Sequence, residues 1–243
     1  MTGQATSLGL ASWAPGEWRS FASFVRRPDL PDRATGPRLA AFGALLQLLV
    51  LDLLLMAVLI GGLAGLTALG VRLPGHLLED LELGPALIAF IVAGAPLGEE
   101  LVFRGWLSGR PGHVGAFVTL LAAAVGVTAG RMLGLPLVGL AFLGAGAVVA
   151  IYLLWRKRGR PPMPFFARHF RWFYLGSALA FASIHLTNFT EGNAALLLPL
   201  TLPQLLLGLI LGYARVSFGL WSSMLMHGLH NTLFIGLVLA GAG

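Results

Sequence analysis

Three short stretches of this chain carry residue types suited to hydrolysis. They are Gly98-Glu99-Glu100-Leu101-Val102-Phe103-Arg104-Gly105, Phe181-Ala182-Ser183-Ile184-His185 and His227-Gly228-Leu229-His230-Asn231. A carboxylate withdrawn from bulk water accepts a proton from a water molecule more readily. An imidazole can position that water or donate to an oxyanion, and an amide N–H can do the latter. On a helix the spacings sort these residues. Glu100 and Arg104 are four apart, share a face and can pair. Glu99 is turned by about 100° from Glu100 and has only Phe103 four residues on. Glu100 therefore reads as structural and Glu99 as chemical. Phe181 shares a face with His185, and His227 with Asn231. His230, three residues from His227, can reach the same cavity. Each stretch also has a plain packing reading. The carboxylates could lock helices through a buried ion pair, the imidazoles and the amide could bond between helices, and Gly228 could permit close approach.

The elements that must position these residues are membrane helices. The chain is 57% hydrophobic and 11% charged, and a soluble domain carries roughly twice that charged fraction. Its apolar runs reach the ~20 residues that a helix needs to cross a bilayer. The expected fold is all-α, a polytopic transmembrane bundle of about seven spans. These are 39–70, 85–108, 113–130, 135–155, 171–189, 194–214 and 217–241. Pro199 and Pro203 interrupt the sixth.

Charge orients the bundle. With the N-terminus in the cytoplasm, that side holds Arg19, Arg26, Arg27, Arg33, Arg38 and Arg110. It also holds the basic loop Arg156 to Arg171 and Arg215, whereas only Arg72 and Arg131 fall outside. The outer loops carry Glu79, Asp80, Glu82 and Glu191. This is the positive-inside pattern, so the net charge of +6 reports topology rather than nucleic-acid binding. Residues 1–37 read as a cytoplasmic or interfacial segment, with Trp13, Trp18, Phe21 and Phe24 interleaved among arginines, as interfacial segments are. Residues 38–243 read as the membrane domain. No cleavable signal sequence is visible, and the absence of cysteine excludes a thiol nucleophile. At about 1.5 Å rise per residue, the three polar stretches lie at similar depth and can meet near mid-membrane. Charged groups there are costly and mark function by default. Asp52, alone in the first span, is left outside the site as a buried hydrogen-bonding residue.

The three stretches resemble the CPBP family, which includes the CAAX prenyl endopeptidases of the Rce1 type and the bacterial Abi proteins. The family pattern is E-E-x-x-x-R, F-x-x-x-H and H-x-x-x-N or H-x-x-x-D, each on a membrane helix. Glu99-Glu100 with Arg104, Phe181 with His185, and His227 with Asn231 match it in order and spacing. The resemblance implies an intramembrane endopeptidase of the CAAX-processing or bacteriocin-processing type. Glu99 and His185 would activate water, His227 and Asn231 would form the oxyanion site, and Glu100, Arg104, Phe181 and His230 would support them. It implies no required cofactor, although Glu99, His185, His227 and His230 could assemble a zinc site. The chain departs from the family where two spans, within 113–155, separate the first two stretches. A two-span hairpin keeps the direction of every later helix, so the departure bears on the substrate.

The expected partners are a peptide or protein with a membrane-associated cleavage site and the lipid bilayer, with no nucleic acid. The expected location is the cell membrane, multi-pass. Two other readings stand beside this one. Buried Glu and His chains also serve proton-coupled transporters, and a non-catalytic scaffold would need these residues only for packing.

Overall fold

The computed structural model describes residues 16–77 and 82–241. Trp13, Glu79 and Asp80 lie outside the described residues. Among those residues the fold is all-helical, with one isolated antiparallel bridge between His76 and Phe189.

Helix α1 (Gly16–Arg26) precedes α2 (Leu39–Ala68). Next comes a continuous helical run, Pro85–Ser108, made of α3 (Pro85–Ala89), a π-turn (Phe90–Gly94), α4 (Ala95–Arg104) and a 3-10 turn (Gly105–Ser108). α5 (Pro111–Met132) and α6 (Pro136–Arg156) form a hairpin. The short α7 (Pro164–Arg168) leads into α8 (Phe170–Ile184), which ends in a 3-10 turn, His185–Asn188. α9 (Ala194–Leu200), α10 (Leu202–Phe218) and α11 (Leu220–Gly241) complete the chain. Among the described residues five helical segments are long and apolar enough to cross a membrane: α2, the run Pro85–Ser108, α5, α6 and α11. All seven expected segments are helical. The 113–130 segment extends to Pro111–Met132, with Pro111 at the first turn, where its missing N–H costs nothing. The sixth segment breaks at Thr201, between Pro199 and Pro203, because neither proline can donate to the helical ladder.

Loops assigned to the same side of the membrane meet one another. The Thr190 N–H donates to the Gly75 carbonyl at 3.1 Å, joining the loops after α2 and α8. At the other end the Thr35 N–H donates to Ser217 at 2.8 Å and the Met163 N–H to Gly109 at 2.9 Å.

The amphipathic α1 places its aromatic face on protein. The Trp18 indole N–H donates to the Gln47 carbonyl at 2.7 Å, and Tyr213 donates to Glu17 at 2.6 Å. Phe24 packs against Tyr174 and Tyr213, with ring centroids 5.1 and 5.0 Å away. Arg19, Arg26 and Arg27 remain exposed. The segment that reads as interfacial thus uses Trp18 and Phe24 as bundle contacts.

α8 and α10 return directly to α4, bypassing the hairpin. Ser177 on α8 donates to the Phe103 carbonyl at 2.6 Å, and the Tyr174 hydroxyl donates to the Leu209 carbonyl at 2.8 Å. This explains how two extra helices fit between the first two polar stretches: they pair with each other at the flank. Their contact is glycine-mediated. A Cβ on Gly130 would lie 2.8 Å from the Gly139 backbone nitrogen, and one on Gly146 would lie 2.6 Å from the Ala123 Cβ. Backbone cannot rotate away from such a clash. Gly130→Ala is therefore expected to destabilise the protein by about 1–3 kcal/mol, read as a lower melting temperature in detergent. Gly144→Ala, with open space around it, is the control expected to melt as wild type.

Candidate active site

Glu100 and Arg104 are fully buried and joined at 2.9 Å between Oε1 and Nη1, as their spacing predicts. A carbonyl and an aromatic face complete the surroundings of Arg104, whose Nε is buried without a hydrogen-bond partner. Its Nη2 is 3.5 Å from the Gly208 carbonyl, and its guanidinium carbon sits 4.0 Å from the centre of the Phe181 ring. Gly208 eases this approach, since a Cβ there would lie 3.3 Å from Nη2. Phe181 also meets His185 and His227 edge-on, at 4.7 and 5.6 Å between ring centres. One aromatic ring therefore contacts the arginine of the first stretch and an imidazole of each of the others.

His227 is buried between the two adjacent carboxylates. Its Nδ1 lies 3.1 Å from Glu100 Oε1, and its Nε2 lies 3.7 Å from Glu99 Oε2. The second separation is too long for a hydrogen bond. Glu99 Oε2 is buried with no hydrogen-bond partner, although the side chain as a whole is 32% exposed. The two glutamates thus differ as helix geometry predicts: Glu100 is enclosed by Arg104 and His227, and Glu99 faces a more open space.

The three imidazoles share one arrangement, with Nδ1 tied to an oxygen. His185 Nδ1 lies 2.7 Å from the Phe181 carbonyl, and His230 Nδ1 lies 2.6 Å from Asp52 Oδ2. A carbonyl only accepts, so the proton of His185 sits on Nδ1 and Nε2 is left as an acceptor. His230 turns to α2 instead of joining Glu99 and His227. Asp52, which the sequence reading leaves out of the site, is fully buried and is the partner of His230. The general rule that an acid within a membrane span is functional was the signal available for it.

Asn231 reaches the π-turn, donating from Nδ2 to the Ile91 carbonyl at 2.8 Å. The sequence explains why this carbonyl is free. In the π register each N–H bonds five residues back, as Ala95 does to Phe90. The next donor in that register would be residue 96, which is proline and has no N–H. Gly228 lets α11 come close here, since a Cβ on it would lie 3.1 Å from the Val92 carbonyl. A π-turn of this kind often marks a functional site.

Among the described residues no group of three or more His, Asp or Glu is placed to hold a metal ion.

A helical membrane bundle with a carboxylate–imidazole cluster inside it is the class of protein these elements define. Residues 82–233, more than half of the chain, match the family described as type II CAAX prenyl endopeptidase, Rce1-like, and the chain belongs to that family. The comparisons with curated proteins and with solved structures find no match. The matched region holds all three polar stretches and the α5–α6 hairpin, whereas Asp52 lies outside it.

Proposed function

We propose that this chain is an intramembrane endopeptidase in which Glu99 activates the attacking water. The observation that carries the reading is the Oε2 of Glu99. It is a buried acceptor without a partner, 3.7 Å from His227 Nε2; Glu100 Oε2 is unpartnered too, but Glu100 is fully buried and paired with Arg104, whereas the Glu99 side chain is 32% exposed and open to water. A water hydrogen-bonded to Glu99 can give that carboxylate its proton while its oxygen attacks the peptide carbonyl. His185 Nε2 is the second acceptor available to hold the water. The carbonyl oxygen becomes an oxyanion, which His227, when its Nε2 is protonated, and the second N–H of Asn231 are assigned to stabilise. The amine leaves with the proton that Glu99 took up, and the carboxylate is regenerated. Glu100, Arg104 and Phe181 hold His227 and α4 in register.

The same reading has seven spans with the N-terminus in the cytoplasm and the cut made in the cytoplasmic half of the cell membrane. Family membership supports peptide hydrolysis of the CAAX type, and the substrate we propose is a membrane-held peptide, prenylated or of the bacteriocin kind.

One observation favours proton-coupled transport as a second reading. The buried pair Asp52–His230 adds to the Glu99–His227–Glu100 group, and such chains relay protons. Proteoliposomes separate the two. Holding the purified protein and a prenylated CAAX-type peptide, they are expected to release a peptide fragment without proton flux. Proton flux lost in Glu99→Gln, with the peptide left intact, would select transport instead.

A further inference from the structure

The flank of α4 that faces away from His227 also has a built feature. A cavity of about 560 Å3 opens where α4 and its 3-10 turn meet the α5–α6 hairpin. Val102, Trp106, Phe117, Leu120, Leu121 and Ala124 line its apolar part, and Trp106 stacks on Phe117 at 5.0 Å. From His113 to Ala124 this wall runs along α5 for roughly 16 Å, at 1.5 Å per residue.

One end of the groove is cationic. Arg215 and His113 line both this cavity and an adjoining chamber of about 210 Å3, which Arg33, Arg110 and Asp32 also line. Arg215 is only 7% exposed. Its Nε and Nη2 donate to the carbonyls of Arg104 and Gly105 at 2.9 and 3.1 Å. Among the described residues no carboxylate lies within ion-pair distance of it. A buried cation without an anion is costly, and two carbonyl oxygens supply only partial charge. Ser108 fixes the turn beside it, bonded to His113 Nδ1 at 2.7 Å and accepting from the Arg110 N–H at 3.3 Å. The turn thereby holds Arg110 and His113 beside Arg215. Arg110 precedes α5, His113 lies in its first turn and Arg215 in the last turn of α10, at the helix ends that the charge pattern assigns to the cytoplasmic face, at headgroup level.

An apolar trough with a cationic end matches an amphiphile with a chain and an anionic head. We propose that the groove binds one anionic phospholipid. An acyl chain lies along α5 against Val102 and Trp106, and the phosphate sits at Arg215, Arg110 and His113. The α5–α6 hairpin supplies one wall of the site. Bound lipid would brace α4 within one turn of Glu99, although the inference does not rest on the peptidase reading.

The test is native mass spectrometry of the full-length protein. It is taken from nanodiscs containing equal phosphatidylglycerol and phosphatidylcholine, with melting temperature measured alongside. One phosphatidylglycerol per chain should remain bound, preferred over phosphatidylcholine by about tenfold, which corresponds to about 1.4 kcal/mol. Arg110→Gln with His113→Gln should remove the preference, and Ala124→Trp should expel the lipid by filling the trough. Both leave the bonds of Arg215 in place; the tryptophan variant should melt as wild type, and the double variant, which loses the Ser108–His113 bond, should stay folded. If the tryptophan variant unfolds, Leu121→Trp, at a 55% exposed position, fills the same trough, and if the double variant unfolds, Arg110→Gln alone tests the headgroup. Equal retention of both lipids overturns the headgroup assignment. Retention unchanged by the tryptophan overturns the groove. Displacement of the lipid by a phosphate-free prenylated peptide would assign the groove to substrate and overturn the phospholipid.

Discussion

Glu99→Gln is expected to lower peptide hydrolysis by about 10²–10⁴-fold, the usual contribution of a positioned general base, with the protein still folded. The substitution keeps the shape and volume of the side chain and removes its ability to take a proton. Glu99 is the partly exposed member of the pair, and its buried Oε2 has no hydrogen bond to lose. Little stability should therefore go with it. Fragment release from a prenylated CAAX-type peptide and the melting temperature, measured on one preparation, give the two readouts. A parallel fall in both would mean that Glu99 holds the fold. His227→Ala cannot make this separation, because His227 is 3% exposed and stands against Glu100 as well as Glu99.

Glu100→Ala is expected to do the reverse. It leaves the guanidinium of Arg104, fully buried, without its carboxylate. Removing one partner of a buried pair costs about 3–5 kcal/mol. The Phe181 ring at 4.0 Å and the Gly208 carbonyl at 3.5 Å do not neutralise the charge. The variant should accumulate poorly in membranes and melt far below wild type. Replacing both residues, Glu100→Gln with Arg104→Met, should recover part of the loss, because the orphaned charge is then gone. Chemical denaturation in detergent checks both variants. A single variant as stable as wild type would show that the pair contributes nothing to the fold.

How far the sequence reaches depends on the distance over which each contact acts. Glu100 and Arg104 are one helical turn apart, so their pairing follows from the periodicity of a single helix. The break at Thr201 follows from two prolines in one segment. The helical segments follow from apolar length. Contacts between distant elements do not have this property. Asp52 and His230 are 178 residues apart, and nothing local to either names the other. The π-turn looks like ordinary apolar helix in Phe90-Ile91-Val92-Ala93-Gly94. It becomes legible only when Pro96 is read five residues back and Asn231 is seen to fill the vacancy. Arg215 counts, in sequence, as one more cytoplasmic charge; in the fold it binds the last carbonyl of α4 and the first of the 3-10 turn. The amphipathic face of α1 specifies that something apolar covers Trp18 and Phe24. Whether lipid or protein does so depends on where Tyr213 and Gln47 lie.

Asp52 also bears on how the site is supported. His230 adjoins Asn231, and its bond to Asp52 fixes α11 to α2 just where Asn231 meets the π-turn. Two separate contacts, Asp52–His230 and Asn231–Ile91, therefore set the position of α11, and with it that of His227. The motif residues alone show only the second.

The most direct test of Glu99 as the base of a peptidase compares peptide termini in cells expressing the wild-type chain or Glu99→Ala at matched membrane levels. Mass spectrometry would search for new C-termini and released fragments. With Glu99 as the base, fragments are present with wild type and missing with Glu99→Ala, their cut sites at the cytoplasmic side of a membrane-held segment. Identical termini in both, across conditions rich in candidate substrates, would contradict it.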